Sequence, residues 1–144
     1  MNLTNLKNFA IESRKKLMHF VADKIAFVLA PESAARRSTP EMVKKLEEAI
    51  TKQGKMQVIE ATAYMWFNRF CALRFMDANH YTSIGVVTPA DGATRPEILA
   101  EAVAGNFDLS VNDEQKRRVQ ALLNGETPSN DRFNDAYRIL FIAS

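Results

Sequence analysis

An all-α fold follows from three features of the sequence. Apolar residues return every three or four positions through most of the chain. Helix-start and helix-stop residues bracket those runs, and no stretch shows the sustained apolar/polar alternation of a half-buried strand. The 144 residues suit one compact domain spanning 1–144, with about six helices around a central buried helix at about 56–79.

From Leu3 the residues Leu6, Ala10, Leu17, Val21 and Val28 recur at helical spacing, with Thr4 as the expected N-cap and Pro31 closing the run. "PESAARRSTP" reads as a polar connection. In "TPEMVKKLEEAITKQG" Thr39 stands at the N-cap, Pro40 at the first helical position, Glu41 in the first turn and Gly54 at the exit. Val43, Leu46 and Ile50 mark its buried stripe. The third helix holds "AYMWFNRFCALRFMDANHY", Ala63 to Tyr81, whose Trp66, Phe67, Phe70, Cys71, Leu73, Phe75 and Met76 surround the helix axis. A helix apolar on every side is expected to be buried on every side. That reading disfavours a stacking platform for single-stranded nucleic acid, which needs rings collected in one groove.

Residues 80–95, "HYTSIGVVTPADGATR", lack a helical period and predict an ordered loop with a short extended piece at "IGVV". Pro96 opens a short helix closed by Gly105. Ser110 and Asp113 stand at capping-box spacing before the next helix, which exits at Gly125. Phe133, Ala136, Tyr137, Leu140 and Phe141 then give a last helix one apolar face. The terminal "AYRILFIAS" stops in mid-pattern, as in a chain cut from a larger protein whose next segment would cover that face.

Composition narrows the function classes. Every apolar run is broken well short of the ~18 residues a membrane span needs, and the N-terminus has no apolar signal core, so the expected location is cytoplasmic, away from membranes. Cys71 is the one cysteine and reads as a small buried hydrophobe. His19, His80 and Cys71 lack zinc-ligand spacing, and neither a phosphate-cradling GxxxxGK[ST] loop nor a GxGxxG turn occurs. Glu114-Gln115-Lys116, with Asp91, resembles half of a nuclease motif but falls in a capped helix rather than on strands. "QKRR" at 115–118 reads first as a solvated helix face and second as a phosphate contact.

Two arginines in the central helix need partners, because an unpaired buried guanidinium costs several kcal/mol. Arg69 is one, and Arg74, three residues before Asp77, can pair across a turn. Trp66, Asn68, Arg69, Arg74 and Asp77 are therefore expected to be structural or interface residues. Net charge is +2, but residues 1–55 carry eleven Lys/Arg against six Asp/Glu and the rest eight against eleven. A basic first third suits a polyanionic partner.

The stretch Ala63–Tyr81 resembles the N-terminal region of the large adenine-specific DNA methyltransferases of bacterial BREX phage-defence systems, the PglX type. Ala63, Tyr64, Trp66 to Arg69, Ala72 to Met76, Asn79 and Tyr81 carry the resemblance, with thinner similarity at "LTNLKNFAIESRKKL", "RPEILAEAV" and "AYRILFIAS". His80 stands where the family pattern has Gly. The resemblance implies a parent enzyme that uses S-adenosylmethionine to methylate adenine N6 at a short DNA site. It gives this chain no catalytic, cofactor-binding or metal residue, since no proline follows an asparagine as the adenine-gripping motif requires. It implies as partners the remainder of the parent methyltransferase, double-stranded DNA and other phage-defence components; the basic first third offers Arg36, Arg37, Lys44 and Lys45 as candidate phosphate contacts. Two other readings stand beside it: a freestanding helical adaptor acting through the face of residues 133–142, and a small non-specific DNA-binding protein.

Overall fold

The structure, a computed structural model, describes residues 2–144. Among them it is all-α, with seven helices and no strand: α1 Leu3–Leu29, α2 Ala34–Ser38, α3 Pro40–Gln53, α4 Lys55–Ala78, α5 Glu97–Val103, α6 Asp113–Leu123 and α7 Arg132–Ala143. The helix beyond the expected six is α2, a single turn in the "PESAARRSTP" connection. Ser33 caps it, its Oγ accepting from Arg36 N (3.2 Å) while donating to the Val28 carbonyl (2.6 Å). The chain divides into two compact units, Met1–Arg69 and Phe70–Ser144, with the boundary inside α4.

In the first unit Ile25 of α1 packs with Val58 and Ile59 of α4, against Met18, Val21, Leu46, Ala49 and Ile50. Full burial of each of these large aliphatic side chains stabilises by ~1.5–3 kcal/mol. α1 enters through Asn2, whose Oδ1 accepts from Thr4 N (2.9 Å), so the cap lies two residues before the expected Thr4. Pro40 opens α3 as expected. Thr39, however, caps with its carbonyl, because its hydroxyl donates back to the Ala35 carbonyl (3.1 Å). Away from the core, Phe9, Phe20 and Phe27 of α1 stay 61%, 65% and 65% exposed. Steps of eleven and seven residues return to within about 20° of the same direction on a helix, so the three rings form one outward stripe. α1 thus carries a second apolar face.

In the second unit α7 packs on α5 and α6. Ala136 and Leu140 are 0% exposed and Phe141 4%, beside Ile98, Leu99, Val111 and Val119. The α7 apolar face is therefore consumed by the unit's own core. The residues expected to await a following segment are thus covered within the unit itself, while Ile142 stays exposed. α6 is capped by Asn112 rather than by Ser110: Asn112 Oδ1 accepts from Gln115 N, and Gln115 Oε1 accepts from Asn112 N, each at 2.9 Å. Ser110 is drawn instead to Asp108, whose Oδ1 accepts its N–H (3.0 Å).

The central helix departs most from expectation. Its length is as read, but only a strip of α4 is sequestered: Val58, Ile59 and Ala63 in the first unit, Leu73 and Asp77 in the second. Tyr64, Met65, Phe70, Phe75 and Met76 are exposed, and so is Cys71. Neighbouring helices cover one face of α4; of the rings on the others, Phe70 meets Phe141 (5.0 Å between centroids) and Phe75 meets Tyr81 (6.0 Å), yet both stay more than a third exposed. Apolar composition around a helix shows what can be buried, whereas the neighbours determine what is.

Candidate functional sites

The charged residues of the first unit are placed unequally. Arg36 is tied into the fold: Nη2 donates to Glu47 Oε1 (2.6 Å) and to the Leu29 carbonyl (2.8 Å), and Nε to the Ala30 carbonyl (3.2 Å). It closes the C-terminal end of α1, whose last carbonyls have no helical partner, and links it to α3. Arg37, Lys44 and Lys45 are exposed, and Lys44 borders a shallow groove with Glu47, Glu48, Thr51 and Lys52. Trp66 and Arg69 meet on α4, the guanidinium carbon 5.8 Å from the ring centroid, a cation–π distance. Asn68 lines an apolar hollow of about 250 Å³ with Ala10, Ile11, Arg14, Tyr64 and Phe67.

The second unit is organised around Asp77. The carboxylate, 9% exposed, accepts from Val86 N (3.0 Å) and Thr82 Oγ1 (2.9 Å) at Oδ1, and from Val87 N (2.9 Å) and Thr88 N (3.0 Å) at Oδ2. The "IGVV" segment is therefore a series of bends wrapped on a carboxylate, not an extended piece. Arg74 does not pair with Asp77. Its Nη1 donates to Thr88 Oγ1 (2.7 Å), one step further along the same loop. Burial pushes the Asp77 carboxyl upward, but the converging donors outweigh it and hold it below the ordinary carboxylate value. Tyr137 OH donates to the Val86 carbonyl (3.0 Å), and burial together with the Asp77 charge raises the phenol. Glu97 adds a second tether, its Oε2 accepting from Gly85 N (2.9 Å). A Cβ at Gly85 would stand 3.0 Å from both that oxygen and the Thr88 carbonyl, so glycine permits the close approach. Nearby, Asp108 is held low by the Ser83 hydroxyl (2.6 Å) and Ser110 N.

This constellation is a clasp: each Asp77 oxygen accepts two donors from the loop, one of the four being the Thr82 hydroxyl. Among the described residues, no three His, Cys, Asp or Glu side chains gather as metal ligands, and no helix is long and apolar enough to cross a membrane. His19 lies on the surface, 3.3 Å from Asp23. A groove between α6 and α7, about 590 Å³, is bordered by Arg117, Arg118, Arg138, Glu114 and Asp135. "QKRR" supplies two of its arginines. The third, Arg138, lies twenty residues on and has no sequence signal linking it to them.

Over 87 residues, 58% of the chain, the sequence is 38% identical to the adenine-specific methyltransferase PglX of Lacticaseibacillus casei (strain Zhang). This chain carries a region related to that methyltransferase. It spans about 7% of the relative's length. No family model and no solved structure matches the chain.

Proposed function

We propose that this chain is the N-terminal helical region of a BREX-type, site-specific adenine DNA methyltransferase, non-catalytic in itself, which scaffolds the catalytic portion and contacts the DNA backbone. The observation that carries the reading is the 38% identity over 87 residues to a methyltransferase of which the chain spans only 7%. S-adenosylmethionine and the adenine-gripping residues belong, in this reading, to the rest of the protein. Two surfaces support the scaffold role: the outward rings of α4 and the phenylalanine stripe of α1, which together expose more apolar side chains than scattered surface residues account for. Arg37, Lys44 and Lys45 are exposed cations available to phosphates, while Arg36 is committed to Glu47 and the end of α1.

The test uses Cys71, which is exposed on α4. In the isolated 144-residue chain a maleimide should label it readily. In protein made from the whole gene, labelling should slow by at least roughly tenfold, the change produced by ~1.4 kcal/mol of protection from opening. Equal rates in the two proteins would remove the scaffold role, as would a gene that ends at codon 144. Calorimetry of the isolated chain with S-adenosylmethionine should show no heat of binding; a one-to-one complex would contradict the non-catalytic assignment.

A further inference from the structure

The α6–α7 groove brings together three arginines from two helices, and none of Arg117, Arg118 or Arg138 makes an ion pair or hydrogen bond with the protein. The acidic groups around them are used differently. Asp135 accepts from Ser129 Oγ (2.6 Å), Asp131 caps α7 by accepting from Asn134 N (3.1 Å), and Asp113 lies 3.8 Å from Lys116. Elsewhere in the unit the carboxylates of Asp77, Glu97, Asp108 and Glu101 all hold loop or side-chain donors. These carboxylates keep their charge but are held by the unit's own donors, whereas the three guanidinium groups border an open concavity. Guanidinium is a planar multiple donor matched to phosphate oxygens, and it sheds hydration more readily than ammonium. Beside the charged groups the lining is Ala121, Leu122, Thr127, Pro128 and Ile139, mainly apolar side chains.

We infer that this groove is a phosphate-contact surface for the DNA backbone, with Arg117, Arg118 and Arg138 as its donors and Glu114 and Asp135 as opposing charges in its lining. The inference rests on the proposed DNA-contacting role but moves the main contact away from the basic first third of the sequence. Charge counting points to residues 1–55, where cations exceed anions. What matters for phosphate is local convergence of unspent donors, and the groove has that in a unit whose formal charge is negative.

The test is fluorescence anisotropy of a short labelled DNA duplex with the full 144-residue chain, titrated at several chloride concentrations. The variant Arg118→Ala/Arg138→Ala should bind roughly tenfold more weakly, with a salt slope shallower by about two, the value for two lost phosphate contacts. Both side chains are exposed, so an unchanged thermal melt is expected of this variant and excludes unfolding as the cause. Glu114→Gln should strengthen binding, because it removes a like charge from the rim. Unaltered affinity in the double variant, with loss instead in Lys44→Ala/Lys45→Ala, would overturn the groove while leaving DNA contact intact. An absence of binding by every form at low salt would overturn both. Competition by inorganic phosphate beyond that of chloride at equal ionic strength would identify a small-anion site and overturn the DNA assignment.

Discussion

Asp77 shows how one side chain organises a loop that has no regular structure. Two oxygens collect three successive backbone N–H groups and a hydroxyl, an arrangement in which the carboxylate stands in for a strand partner. Asp77→Asn places an NH₂ where two donors converge, and we expect a loss of about 2–3 kcal/mol in urea unfolding, the cost of leaving buried donors unpaired. The sign of the pH dependence follows from the lowered carboxyl. Its contribution is fully present above the ordinary value of 3.8 and disappears as pH falls through the folded-state value. Stability measured from pH 6 downward should therefore fall less steeply in Asp77→Asn than in the parent. Tyr137 is raised, so its contribution is present below its ordinary value of 10.0 and is lost as pH climbs through the folded value. Tyr137→Phe should flatten the alkaline limb.

At the scale of elements, helix exits explain the unusual His80. Tyr81 N donates to the Met76 carbonyl (2.9 Å) and His80 N to that of Asp77 (3.2 Å), which is a Schellman termination of α4. The same pair of bonds ends α5 at Gly105 and α6 at Gly125, with φ of 89° and 76°. At α4 the left-handed residue is His80, φ 57°. A β-carbon in that region costs roughly 1–2 kcal/mol, partly offset by the lower unfolded-state entropy of a non-glycine residue. His80→Gly should raise the melting temperature by a few degrees, corresponding to a net gain of about 0.5–1 kcal/mol. The partial burial of α4 is open to an equally direct comparison. Leu73→Ala should cost about 2–4 kcal/mol, whereas Phe75→Ser, at a ring 59% exposed, should change stability by less than about 0.5 kcal/mol. Similar losses from the two would mean that α4 is buried all round.

For the whole molecule, helical content, the order of the helices and nearly all their limits were legible in the spacing of apolar residues and in Pro40, Gly54, Gly105 and Gly125. Those signals are local: a cap or a stop depends on a few neighbouring residues and their φ preferences. The capping errors at Thr4 and Ser110 were local as well, since Asn2 and Asn112 lay within two residues and compete for the same N–H groups. The sites were less legible. Arg36 and Arg37 look alike in sequence, yet only Arg36 meets Glu47 and the end of α1. Arg74 had Asp77 three residues away, but the loop's backbone donors took that carboxylate first.

The sequence alone determined that this chain is a set of capped amphipathic helices with a basic first third and a region related to an adenine-specific methyltransferase, because periodicity, punctuation and residue identity are properties of the chain itself. Tertiary structure decided which apolar faces meet a neighbour, which carboxylates are occupied, and that Arg138 joins Arg117 and Arg118. Burial and convergence depend on what lies across a helix–helix gap, and no spacing within a single helix encodes that.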